Sequence, residues 1–187
     1  MARPFGTASI VAECGRVPGV VGSAPGKQGG ADMAAEGVEG SATIQIQAPP
    51  EKVYGMITDV NRIGEWSPEC VRAEWVGGAT GPAVGARFKG HNKLNWLMRW
   101  STTPTVKVAD PGKEFTFETG KPGKEQTRWT YRFAPKDGGT ELTESFEALT
   151  YGGFQKLTAK PEKRAAKLTG DIQQTLERIK QAAEGAA

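Results

Sequence analysis

Ala165, Leu168, Ile172, Leu176, Ile179 and Ala183 recur at steps of three and four residues, and charged residues fill the opposite face. This spacing predicts one long amphipathic helix at the C-terminus, entered near Pro161. Its apolar stripe needs a partner, and the preceding chain reads as strands. Thr43-Ile44-Gln45-Ile46-Gln47 alternates apolar and polar as a half-buried strand does, with order expected from Ala42 onward. Strand-like segments follow at Val71–Val76, Ala86–Lys93, Leu97–Val108, Lys113–Thr119, Thr127–Phe133 and Thr140–Leu149. Their separators are turn-formers such as Gly77-Gly78, Gly81-Pro82, Asp110-Pro111-Gly112, Lys121-Pro122-Gly123 and Asp137-Gly138-Gly139. Short separators mean hairpins and antiparallel pairing. Pro104 interrupts one segment and predicts an edge or a bulge there. After the first strand, Pro50 suits the first turn of a helix whose Val53, Met56 and Ile57 share a face. Asp59 to Ile63 reads as a turn and the start of a second short helix, ending at Ser67-Pro68. The expected fold is α+β: a curved seven-stranded antiparallel sheet wrapped around the C-terminal helix, with two short helices after strand 1.

Residues 1–40 are rich in Gly, Ala, Val and Pro without a sustained period. Such composition does not offset the entropy of ordering, so a disordered arm is expected, followed by one domain over 41–187. Met33-Ala34-Ala35-Glu36 offers an alternative translation start. Gly26-Lys27 lacks the context of a phosphate-binding loop, since Val21 and Gln28 stand where Gly and Ser or Thr are required. Glu13 and the lack of a preceding apolar stretch argue against a lipoprotein site at Cys14. Cys14 and Cys70 form no CxxC pair and no zinc spacing, which points to a reduced, cytoplasmic protein. The formal net charge of +3, evenly spread, argues against nucleic acid as a partner. No apolar run approaches the roughly 20 residues that span a bilayer, so stable membrane insertion is not expected.

Metal and cofactor chemistry find no footing. His91 is the single histidine, and parity puts it with Arg87 and Lys89 on a solvated convex face, opposite Phe88 and Gly90. Gly77-Gly78-Ala79-Thr80-Gly81-Pro82 lacks a strand-to-helix context and reads as a hairpin loop rather than an anion cradle.

The element order resembles the helix-grip fold of the START-like (SRPBCC) superfamily. Ala48-Pro49-Pro50-Glu51-Lys52-Val53-Tyr54, Thr58-Asp59-Val60, Glu65-Trp66-Ser67-Pro68-Glu69, Gly85-Ala86-Arg87-Phe88 and Trp129-Thr130-Tyr131-Arg132-Phe133 are similar to its bacterial polyketide cyclase/dehydrase-like branch. Tyr54 departs from it, since the branch often has Trp there. The resemblance covers about residues 42–183. It implies a gap between sheet and helix that often holds a ligand. It leaves activity open, because fold does not imply function. Aromatic polyketide cyclases, lipid carriers and quinone-binding proteins all occur in the superfamily.

Trp66, Trp75, Phe88, Trp100, Phe115, Phe117, Trp129, Tyr131, Phe133 and Phe146 are the candidate ligand-binding residues. In Thr127–Phe133, Trp129, Tyr131 and Phe133 share one face while Arg128 and Arg132 take the other. These rings either fill an apolar core or line a cavity for a small hydrophobic or aromatic molecule. Trp96 falls in a predicted turn and takes no role in this reading.

Glu144 is the candidate catalytic residue. It shares parity with Leu142 and Phe146, while Glu141, Thr143 and Ser145 face outward, and it is expected roughly across from Trp129. Burial there would raise its pKa, which suits a general acid or a ligand hydrogen-bond partner. Two other readings stay open: a bulge that turns Glu144 outward, or an internal partner such as Tyr131 or an arginine. Two functions from other classes also stay open: a lipid or quinone carrier, and a protein-interaction module with a collapsed cavity. Oligomeric state is not legible.

Overall fold

The computed structural model describes residues 38–150 and 160–185. The expectations placed on residues 1–37, including the arm, Cys14, Gly26-Lys27 and the start at Met33, lie outside the described residues. Strand β1 (Glu39–Ile46) is followed by helix α1 (Pro50–Thr58), a single 3-10 turn at Val60–Arg62 and the short helix α2 (Ile63–Trp66). Then come β2 (Cys70–Val76), β3 (Arg87–Lys93), β4 (Arg99–Thr102), β5 (Thr105–Asp110), β6 (Glu114–Lys121), β7 (Lys124–Lys136), β8 (Gly139–Ala148) and helix α3 (Pro161–Glu184).

One antiparallel sheet runs in the order β1-β8-β7-β6-β5-β3-β2, with β4 paired to β3 off this path. The strand expected over Leu97–Val108 is two strands. Pro104 has no N–H to give a ladder, so the chain breaks there. β4 pairs with the end of β3 through Asn92↔Trp100, whereas β5 meets its start at Arg87↔Thr105. The first strand also starts earlier than expected. Glu39 and Gly40 pair with Glu147 and Phe146, so the boundary placed after residue 40 falls inside β1.

The concave face carries the side chains that alternation assigned inward, and α3 lies across it. Ile172, Leu176, Ile179 and Ala183 are all at most 1% exposed. Gly40 permits the close approach of α3 to β1, since a Cβ there would stand 2.3 Å from Thr169 Oγ1. The C-terminal half of α3 is clamped to the segment after β1. Lys52 Nζ donates to the Ala183 carbonyl at 2.9 Å, and the Gln47 amide donates to Glu184 Oε1 at 2.7 Å. Beneath that half, Tyr54 of α1 packs edge-on against Phe115 and Phe133, with centroids 6.4 and 5.5 Å apart. This end of the groove is a solid core.

Gly139, at the start of β8, lies tight against the end of its neighbour β1, since a Cβ there would sit 2.2 Å from the Ile46 carbonyl oxygen. The backbone has no room to yield. Gly139→Ala should therefore cost about 1–3 kcal/mol, read as a lower thermal midpoint at unchanged far-UV spectrum; an unchanged midpoint would contradict this packing.

Candidate functional site

Toward the N-terminal half of α3 the sheet and helix part, and a cavity of about 180 Å³ opens between them. Phe88, Trp100, Phe117, Trp129, Tyr131, Phe146 and Glu144 all line it. The other four expected ligand-binding residues do not. Phe115 and Phe133 are consumed in the core with Tyr54. Trp66 is 2% exposed and stacks beneath the Arg62 guanidinium at 4.9 Å. Trp75 packs beside Phe88 across the β2–β3 ladder, ring edge to face, with centroids 5.6 Å apart. Inward parity is shared by all the strand aromatics, but α1 fills only one end of the groove, and that decides which rings remain free to line space.

Glu144 points into this cavity. β7 and β8 pair from Thr127↔Ala148 to Lys136↔Gly139 without a bulge, so alternation carries straight through and the outward alternative is excluded. The register corrects its neighbour: Glu144 lies across from Tyr131, and Trp129 lies across from Phe146. Thr140 and Gly139 pair with Pro135 and Lys136, so β7 runs on past Phe133 and shifts the register two residues from the expected one. The Tyr131 hydroxyl donates to Glu144 Oε1 at 2.7 Å. The other carboxyl oxygen, Oε2, is buried without a hydrogen-bond partner among the described residues. Burial penalises the charged form and pushes the Glu144 pKa up to about 8, against the opposing effect of the Tyr131 hydrogen bond. Burial, then the neighbouring Glu144, raise the Tyr131 phenol well above its ordinary value.

Cys70 is the third member of this interior group and was not anticipated. Ala73 and Trp75 set the inward parity of β2, which would aim Cys70 outward. A bulge between Cys70 and Arg72 reverses it. Cys70 then lines the cavity, and burial raises its thiol pKa to about 11. At neutral pH, Glu144 is mostly protonated and Tyr131 and Cys70 are fully so. Rings and uncharged donors line the cavity beside one charged pair, Glu69 and Arg164.

At the rim, Arg164 in the first turn of α3 holds Glu69 through paired bonds, Nη1 to Oε2 at 2.8 Å and Nη2 to Oε1 at 2.7 Å. Thr175 lines the wall from α3, with its hydroxyl satisfied by the Asp171 carbonyl at 2.9 Å. A signal for both existed in the sequence: Arg164 precedes Leu168 by four residues and Thr175 follows Ile172 by three, so each is a polar member of the apolar stripe. His91 stands outside the site, in the convex row, 3.6 Å from Glu74 and 3.3 Å from Ser101 Oγ.

A sequence-family model described as "Polyketide cyclase / dehydrase and lipid transport" matches residues 24–184. No curated protein matches the sequence. Among solved structures, a polyketide-cyclase-like protein from Corynebacterium glutamicum is 33% identical with a TM-score of 0.56, over 80% of this chain and 93% of that one. A protein from Thermus thermophilus is 18% identical with a TM-score of 0.60, over 80% of this chain and 99% of its own. An AHSA1-like protein from Aeromonas hydrophila is 21% identical with a TM-score of 0.54, over 77% and 93%. The last two share the fold alone.

Proposed function

The chain belongs to the polyketide cyclase/dehydrase and lipid transport family, the START-like helix-grip superfamily its sequence resembles, and from that premise we propose that it binds a small, uncharged, apolar or aromatic ligand bearing an acceptor oxygen. The observation that carries this reading is Glu144 Oε2, a buried carboxyl oxygen without a hydrogen-bond partner among the described residues, in a ring-lined cavity. Tyr131 occupies Oε1 as a donor. The proton of the neutral acid then resides on Oε2 and is offered to whatever fills the space. A ligand carbonyl there would relieve the penalty of an unsatisfied buried polar atom.

Size narrows the class. A dry cavity of ~150 Å³ accepts a benzene, and drug-sized sites begin near ~300 Å³. At about 180 Å³, the space suits one or two fused rings, or a short chain, better than a tetracyclic polyketide. Binding is favoured over full dehydratase chemistry. Loss of water needs a proton acceptor as well as an acid. The other carboxylate on the lining, Glu69, is already held by Arg164. Activation of a bound carbonyl toward enolisation or cyclisation by the Glu144 proton, with water taking the α-proton, is the finer form of the same reading, with Glu144 as the catalytic residue. Transport of a lipid or quinone would use the same cavity. A cytoplasmic setting fits the protonated, unreactive state of Cys70.

The test is displacement of an environment-sensitive apolar dye by a naphthyl ketone, in the wild type and Glu144→Gln, across pH. In the wild type, affinity should hold constant below pH 8 and fall about tenfold per unit above it, because ionisation removes the donor. Glu144→Gln should show no such fall. Wild-type affinity flat to pH 10, or the same profile in both proteins, would sink the proposal.

A further inference from the structure

The β3–β4 hairpin carries a feature that the cavity does not use. Trp96 and Leu97 at its tip are 81% and 71% exposed, and Leu94 beside them is 38% exposed. A tryptophan held out in water is costly unless something covers it, and the tip is built to hold it there. Asn95 Oδ1 accepts from the Leu97 amide at 2.9 Å and the Met98 amide at 2.8 Å. The Leu94 amide bonds the Met98 carbonyl at 3.0 Å, closing the loop. This is a preset turn organised by an Asn side chain.

Along the sequence the charge flanking the tip is of one sign, although across the sheet Glu74 stands opposite Lys89 and Glu118 holds Lys107. From Trp75 to Ala109 the sequence contains no Asp or Glu, while Arg87, Lys89, Lys93, Arg99 and Lys107 all fall within it. The even spread of charge read from the whole chain fails here. Lys93 and Arg99 face each other at the base of the tip. Neither forms an ion pair within 4 Å among the described residues, and no helix among them is long and apolar enough to cross a membrane.

We infer that this hairpin tip docks the protein onto an anionic lipid surface, with Trp96 and Leu97 entering the headgroup–acyl boundary and Lys93 and Arg99 meeting lipid phosphates. An indole belongs at that boundary because its ring is apolar and its N–H is polar. Basic residues beside it draw the loop to negative headgroups. The position is also apt. Asn92 and Trp100, one rung inside the tip, line the cavity, and the Lys93 amide bonds the Glu69 carbonyl of the rim at 2.9 Å. Docking by the tip sets the cavity mouth close to the bilayer, where an apolar ligand partitions. Only this delivery role rests on the ligand-binding reading; the docking itself does not.

The experiment is co-sedimentation of the full chain with vesicles of phosphatidylcholine, with and without phosphatidylglycerol. The wild type should bind the anionic vesicles, weakly bind the neutral ones, and lose binding as salt rises. The exposed double variant Trp96→Ser/Leu97→Ser should bind anionic vesicles at least about tenfold more weakly. Lys93→Gln/Arg99→Gln should lose the preference for phosphatidylglycerol. Both should keep the wild-type thermal midpoint and naphthyl ketone affinity in vesicle-free solution. The inference is overturned if the wild type binds neither vesicle, or if the tip variants bind as the wild type does. It is equally overturned if the wild type self-associates and Trp96→Ser/Leu97→Ser makes it monomeric without altering vesicle binding. Failure of wild-type ketone binding with intact vesicle binding would count against the cavity reading alone.

Discussion

Glu144→Gln should be more stable than the wild type at pH 9 by several kcal/mol and lose that advantage by pH 5. The sign follows from linkage. The ordinary glutamate value of 4.5, which the unfolded chain has, is raised to about 8 in the fold. Between those values the folded state holds a proton that the unfolded state releases. The wild type's stability is therefore fully present below pH 4.5 and falls as pH rises, until the folded group also ionises near 8. Each unit of that interval is worth about 1.4 kcal/mol, so the total is on the order of 5 kcal/mol. That is a large fraction of the roughly 5–15 kcal/mol that typically separates folded from unfolded states. Gln keeps the shape and does not titrate. Taking the difference between the two proteins by denaturant unfolding across pH cancels the other groups. A difference constant from pH 5 to 9 would mean that Glu144 is ionised, or solvated, in the fold.

Phe133→Ala and Trp129→Ala should separate stability from ligand binding, although the two residues lie on the same strand with the same parity. Phe133 is 4% exposed and packs against Tyr54 in the filled end of the groove. Its truncation leaves a cavity that the clamped end of α3 has little freedom to close, and should cost about 3–5 kcal/mol. For a chain of this size that is a fall of roughly 6–20 °C in thermal midpoint. Ketone affinity should stay near wild type wherever the variant is folded. Trp129 is half-buried, tilted on Phe146 at 5.5 Å, and lines the open end. Trp129→Ala should destabilise less and weaken ligand binding more. Equal destabilisation with unchanged affinity in both would mean that Trp129 is core as well.

Much of this was legible in period and parity. The stripe from Ala165 to Ala183 determines a helix and the face it buries, and hairpin separators determine antiparallel neighbours. Glu144 stood out because one carboxylate broke an otherwise apolar inward row. What escaped depended on insertions of single residues. The bulge at Cys70/Arg72 reverses the direction of a side chain without any marker such as Gly or Pro. The two-residue error that set Trp129 across from Glu144 arose because β7 continues through Pro135 to Lys136, which a proline near a strand end conceals. The division between filled and open groove was not legible at all. It depends on how far Tyr54 reaches from α1, a tertiary contact with no period to reveal it.

The most direct test of the central claim, a neutral acid offered to a ligand inside the cavity, is a carboxyl-carbon NMR titration of the protein labelled at glutamate. One glutamate should titrate near pH 8, be absent from Glu144→Gln, and move higher when a naphthyl ketone is added, since the ligand binds the protonated form. Every glutamate titrating within the ordinary range near ~4, with none moved by the ketone, would contradict the claim.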